Sequence, residues 1–180
     1  MEIKDLLYQA ISEYGEKSIL SDIAQGESPT AINAIFEHCM SALDKMGKNN
    51  PEVRGALAEG LTHYMLTISL IPSQRKTVIQ SVDIDIAVPD DKTLTASPGD
   101  AIVISFPKTN ESSEIKKHVD RLKKIQPKSE NIWLVVDEPV NVEAKSYTLD
   151  KNGFTFSNII NDLINFTSNT KQSKLKIFRI

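Results

Sequence analysis

Thr77 to Lys108, TVIQSVDIDIAVPDDKTLTASPGDAIVISFPK, decides the fold class, because it reads as two strands joined by a polar turn region. Over Thr77–Val88 a period of two puts Val78, Val82, Ile84, Ile86 and Val88 on one face, and Ile79, Ser81, Asp83, Asp85 and Ala87 on the other. Side chains two apart on a strand lie roughly 7 Å apart at their Cα atoms, so Asp83 and Asp85 share a face and are able to converge on one cation. Ala101–Phe106 is apolar on both faces except at Ser105, the pattern of a central strand covered on two sides.

The chain before this stretch is helical. Ile3, Leu6, Leu7, Ala10, Ile11 and Tyr14 recur at three and four, a first amphipathic helix that Gly15 ends. A short helix over Lys17–Gln25 follows, then one opened by Ser28-Pro29, with Ile32, Ile35, Phe36, Cys39, Met40 and Leu43 as its stripe, and a fourth from Pro51 to about Leu70. Gln74-Arg75-Lys76 marks the change of period from 3.6 to 2. Residues 1–75 are therefore expected as a helical region and 76–180 as an α/β domain, the two forming one unit if 50–75 pack on the sheet.

After the deciding stretch come a helix over Ser112–Ile125, a strand over Asn131–Val136, a strand over Ala144–Leu149, and a helix over Ser157–Phe166. The tail KLKIFRI reads as a last strand. Ile115, Val119, Leu122 and Gln126 define the inner face of the Ser112–Ile125 helix. From Lys108 to Lys128 the bases are Lys108, Lys116, Lys117, Arg121, Lys123, Lys124 and Lys128, against Glu111, Glu114 and Asp120. Such a run is most often a solvated face; otherwise Lys116, Lys117, Arg121 and Lys124 would hold phosphates without reading base sequence.

At 180 residues, with 40% apolar and 25% charged residues, the composition is that of a globular domain. A net charge of −3 argues against coating nucleic acid or anionic membrane through bulk charge. One cysteine, Cys39, excludes an internal disulfide and a cysteine zinc site, and its place in a helical stripe reads as core. There is no apolar run long enough to span a membrane and no signal-peptide pattern, so the expected compartment is cytoplasmic. His38, His63 and His118 are too far apart for a histidine metal motif, and His63 lies four residues after Glu59 on one helix face.

The order of elements (helix, two strands, basic helix, strand) over about residues 50–139 resembles the PD-(D/E)xK nuclease-like fold, in particular the archaeal Holliday-junction resolvase type. The resemblance implies a mixed-sheet, restriction-endonuclease-like α/β domain. In that family a helical Glu, a strand Asp and a Glu-x-Lys hold Mg²⁺ and activate water against a phosphodiester. Carried over, the helical acid is Glu59, or Glu52, and the strand acid is Asp83 or Asp85, which would also be the metal ligands. The third motif departs from the family: Ser105 stands at the Glu position, Pro107 at the Lys position, and Lys108 one residue late, where a slip turns a strand side chain to the other face unless Pro107 forms a bulge.

Two other strings are weaker. DIDIAV resembles the paired-Asp strand of nucleotidyltransferases, but Ile71-Pro72-Ser73-Gln74 has no glycine for the turn; IWLVVDEP, ending in Asp137-Glu138, resembles a Walker B strand with no phosphate-cradling partner. Three functions follow as expectations: a catalytically degenerate nuclease-like domain associated with nucleic acid; an active Mg²⁺-dependent nuclease using Glu59, Asp83, Asp85 and Lys108; or a non-enzymatic interaction protein whose helical part forms a homodimer.

Overall fold

The computed structural model describes residues 2–177 in backbone and 2–171 in side chains. Four helices lead: α1 (Ile3–Tyr14), α2 (Glu16–Ala24), α3 (Ser28–Lys45) and α4 (Pro51–Ile68). Then follow β1 (Gln74–Ile79), β2 (Val82–Val88), α5 (Asp91–Ala96), β3 (Ile102–Ser105), α6 (Ser112–Leu122), β4 (Ile132–Val136), β5 (Lys145–Thr148) and α7 (Ile159–Ile177). The strands form one sheet in the order β1-β2-β3-β4-β5, antiparallel through β3 and parallel from β3 to β5. The expected α/β class with a mixed sheet behind an N-terminal helical region is what the chain adopts.

Apolar patterning explains the layers. Ile102 and Ile104 of β3 with Trp133 and Val135 of β4 join a core shared with α1, α3, α4 and α7. The alternate residues, Val103, Ile132, Leu134 and Val136, join a second core with Leu94 of α5 and Ile115, Val119 and Leu122 of α6. The central strands therefore carry apolar side chains on both faces because both faces are covered by helices. The inner face of α6 is as the spacing predicts, with Gln126 buried and donating to the carbonyls of Pro98 and Ala101.

Three elements differ from the sequence reading. Thr77–Val88 is the two arms of a hairpin, with Ile79 opposite Val82 and Gln80-Ser81 between them at φ of 48° and 62°. Both turn residues lie in the left-handed region, as a two-residue hairpin of this type requires, but without the Gly or Asn that signals it. The polar stretch after β2 contains the one-and-a-half-turn helix α5, capped by the Asp90 side chain accepting from the Thr93 amide. The tail through Ile177 continues α7 as helix, not strand; residues 178–180 of that expected strand lie outside the described residues. Four-residue spacing, Ile160, Ile164 and the Thr167 hydroxyl bonded to the Leu163 carbonyl, carries the helix on past Phe166.

One polar tie anchors α4 to the end of β4. Arg54 donates through Nε and one Nη to the two Asp137 oxygens at 2.8 and 2.7 Å, and through the other Nη to Asn49 at 2.7 Å. Asp137, the acid of the Walker-like string, is thereby accounted for as a structural partner. The Asp137 hydrogen bonds and charge raise the Arg54 pKa further above its ordinary value against the opposing effect of burial. Replacing Arg54 by Ala strands a carboxylate that is 10% exposed; the expected loss is about 2–3 kcal/mol in urea denaturation, whereas a loss under about 0.5 kcal/mol would mean solvent already screens the pair.

Candidate functional site

Helix α4 carries Glu59 inward, where it is 3% exposed between the helix and the β1–β2 hairpin. A carboxylate so placed must be paired, and cations from two segments reach it. Arg75 and Lys76, both on β1, approach its Oε1 at 3.1 and 2.7 Å, and Lys108 approaches Oε2 at 3.9 Å. Lys76 also contacts Asp85 of β2 at 3.2 Å. Its ammonium thus bridges the two carboxylates. The bridge depends on a local kink: Lys76 has φ 50°, and Lys76–Asp85 falls between the regular pairs Arg75–Ile86 and Thr77–Ile84. Across that kink Ile84 and Ile86, two residues apart, pack into opposite cores.

The other Asp85 oxygen is held from β3. It accepts the Phe106 amide at 2.8 Å and lies 3.4 Å from the Ser105 hydroxyl. Ser105, 2% exposed, also sits 2.8 Å from Nε2 of His118 on α6, whose Nδ1 is 3.5 Å from Arg121. Burial, then the Arg121 charge, holds the His118 pKa below its ordinary value against the pull of Asp85 and Asp83. The imidazole is neutral at pH 7.

Glu59, Asp85 and Lys108 are therefore brought together, and Ser105 joins them at the position where the resemblance expects an acid. Lys108 reaches the centre because β3 ends at Ser105, and the alternation rule stops there. The Phe106–Lys108 segment then crosses α4 at Gly55, where a Cβ would stand in ordinary contact, 3.5 Å from the Pro107 carbonyl oxygen and 3.6 Å from Lys108 Cγ. Asp83 is exposed, opposite Val78, and acts on His118 only through its charge. Glu52 lies in the first turn of α4, two turns from Glu59. Lys116, Lys117, Arg121 and Lys124 are all exposed on or just past α6, and Arg121 is the one adjoining the centre through His118.

Sequence reasoning missed Arg75, Lys76 and His118. Arg75 and Lys76 read as a boundary, and only the hairpin register places Lys76 beside Asp85.

The fold family implies a divalent metal, and the residues present do not fit one. Magnesium needs anionic oxygens converging on one point. Here Glu59 and Asp85 face Arg75, Lys76 and Lys108, three cations against two carboxylates. The third acid is a serine. Among the described residues no group of three or more His, Cys, Asp and Glu is placed to hold a metal ion.

No described protein family matches the sequence, and no curated protein matches it. Among solved structures, the restriction endonuclease PspGI in a complex with substrate DNA is similar over 94% of this chain and 94% of that one, with a TM-score of 0.58 and 15% sequence identity. The chain has a restriction-endonuclease-like fold. Among the described residues no helix is long and apolar enough to cross a membrane.

His118, and His63 with its pKa lowered by burial and Arg75, stay neutral in the fold. Below the ordinary value of 6.5 the unfolded chain takes up protons that the folded chain refuses, so stability falls with pH until the folded values are passed and is constant below them. Urea denaturation from pH 7.5 to 5 is expected to show a shallower decline in His118→Asn than in the parent. Parallel curves would contradict the placement of His118.

Proposed function

We propose that the chain is a nucleic-acid-associated, catalytically degenerate domain of the restriction-endonuclease-like fold, with the archaeal Holliday-junction resolvase type, read from element order, as its proposed branch. It holds phosphodiesters at the Glu59–Asp85 centre without a metal ion. The observation that carries the reading is the Lys76 ammonium bridging Glu59 and Asp85. A fixed ammonium supplies the positive charge between the carboxylates, and Ser105 in place of the third acid removes the charge that would favour a divalent ion instead. Arg75, Lys76 and Lys108 exceed the two acids by one charge, and their side chains are 38, 54 and 44% exposed, open to an incoming phosphate.

The basic face of α6 extends this surface. Lys117 and Arg121 lie four apart on one face of α6, Lys124 follows in the turn just past its end, and Arg121 borders the centre. Phosphate contacts of this kind position a duplex and carry no sequence information. That PspGI is solved on its substrate DNA supports nucleic acid as the partner class.

Duplex binding followed by fluorescence anisotropy tests the reading. Affinity is expected to be the same in EDTA and in Mg²⁺, with no cleavage, and each phosphate-contacting cation removed, in Lys108→Ala, Lys117→Ala or Arg121→Ala, lowers the slope of log K against log salt by about 0.9. Cleavage in Mg²⁺ that is lost in Asp85→Asn would make the chain an active nuclease. Absence of duplex binding at low salt would remove nucleic acid as the partner.

A further inference from the structure

Beside the charged centre, α1 and α4 leave a cleft of about 430 Å³ whose walls include Leu7, Ile11 and Ala56, with Tyr8, His63 and Arg75 among its polar and aromatic lining. Two features of it are unused by the fold, and a third is shared with the charged centre. Tyr8 is 54% exposed although it is a large aromatic. His63 Nδ1 is buried without a hydrogen-bond partner, because Glu59, one turn before it, is engaged by Arg75, Lys76 and Lys108. Arg75 belongs to both places, lining the cleft while its guanidinium contacts Glu59. At the other side Lys4 lines the cleft and lies 5.7 Å from the Tyr8 ring centroid.

We propose that this cleft is a mononucleotide subsite, taking one nucleobase with its phosphate. A flat ring suits the space: it covers the apolar walls, stacks on Tyr8, and offers ring nitrogens or an exocyclic group to His63. An unpaired buried nitrogen is costly to leave without a partner, and a base edge is among the few ligand surfaces that present a donor or an acceptor within a planar apolar body. His63 is neutral, since burial and Arg75 lower its pKa, so Nδ1 serves either role according to its tautomer. The phosphate attached to such a base meets Arg75 or Lys4. An isolated carboxylate or an aliphatic chain would satisfy only one of these features.

The subsite rests on the reading of the neighbouring centre as phosphate-binding only for the strand-borne form of the ligand. A base with its phosphate arrives either as a free mononucleotide or as an unpaired residue of a strand, and the two are separable. The four deoxynucleoside 5′-monophosphates, with inorganic phosphate as control, are titrated calorimetrically into the full chain; then the same chain is given a duplex with one unpaired nucleotide and its fully paired counterpart. Saturable binding of at least one monophosphate, roughly tenfold or more tighter than inorganic phosphate and weakened about tenfold or more in both Tyr8→Ala and Ala56→Leu, is expected.

Preference for the unpaired duplex, lost on adding the monophosphate, assigns the site to strands; monophosphate binding with equal affinity for the two duplexes assigns it to free nucleotides. No monophosphate binding, or binding indifferent to both substitutions, overturns the subsite. Ala56→Leu fills the cleft from a half-buried position, and the unfolding transition of each variant separates a blocked cleft from a lost fold. Paired-duplex binding that persists in Tyr8→Ala leaves the charged centre standing whatever the cleft does.

Discussion

A carboxylate sealed between a helix and a sheet has to be neutralised where it stands, and Glu59 is the residue on which this centre depends. Its neutralisation fixes where β1 lies, because Arg75 and Lys76 must both turn to it, and where the segment after β3 runs, because Lys108 completes the set. The kink at Lys76 and the crossing at Gly55 are the backbone's accommodation of those contacts. Asp85 is held from three sides, by Lys76, the Phe106 amide and Ser105. Glu59, 4% exposed in its side chain, is the member that cannot be left unpaired, whereas Arg75, Lys76 and Lys108 each keep a face toward solvent.

The rest of the fold keeps that geometry in place. β3 and β4 are covered on both faces, so the strand bearing Ser105 cannot slide without moving apolar residues between two cores. The Arg54–Asp137 pair ties the first turns of α4 to the end of β4, on the same helix that carries Glu59. The same helix, along the adjoining strip of its surface, forms the cleft with α1, which is why a cationic centre and an aromatic-lined cavity share Arg75.

Much of the architecture is legible in the residues. Helical stripes place α1 and α3, Pro51 opens α4, the two-sided apolar runs place β3 and β4, and the amphipathic spacing of α6 identifies its buried face. The hairpin is not legible, because Gln80 and Ser81 adopt left-handed backbone without glycine, and uninterrupted alternation across them reads as one strand. The unseen turn hides the most telling residue: with no turn there is no register, and with no register Lys76 has no reason to meet Asp85. The family resemblance offers Glu59 or Glu52 and Asp83 or Asp85 without choosing within either pair, and the departures at Ser105 and Pro107 are visible too. What strand alternation does not convey is that β3 ends before Lys108, so that the side chain reaches Glu59 from a loop.

In this centre the Lys76 ammonium bridges Glu59 and Asp85, and the proposed function turns on that cation standing in for a divalent ion. The most direct measurement is a calorimetric Mn²⁺ titration of the parent chain alongside a Lys76→Ala, Ser105→Asp double variant, with the fold of each verified by its unfolding transition. The expected result is no saturable Mn²⁺ site in the parent and one in the variant, where a third carboxylate replaces the serine and the internal cation is gone. Saturable binding by the parent that disappears on changing Glu59 or Asp85 would contradict the ammonium's role.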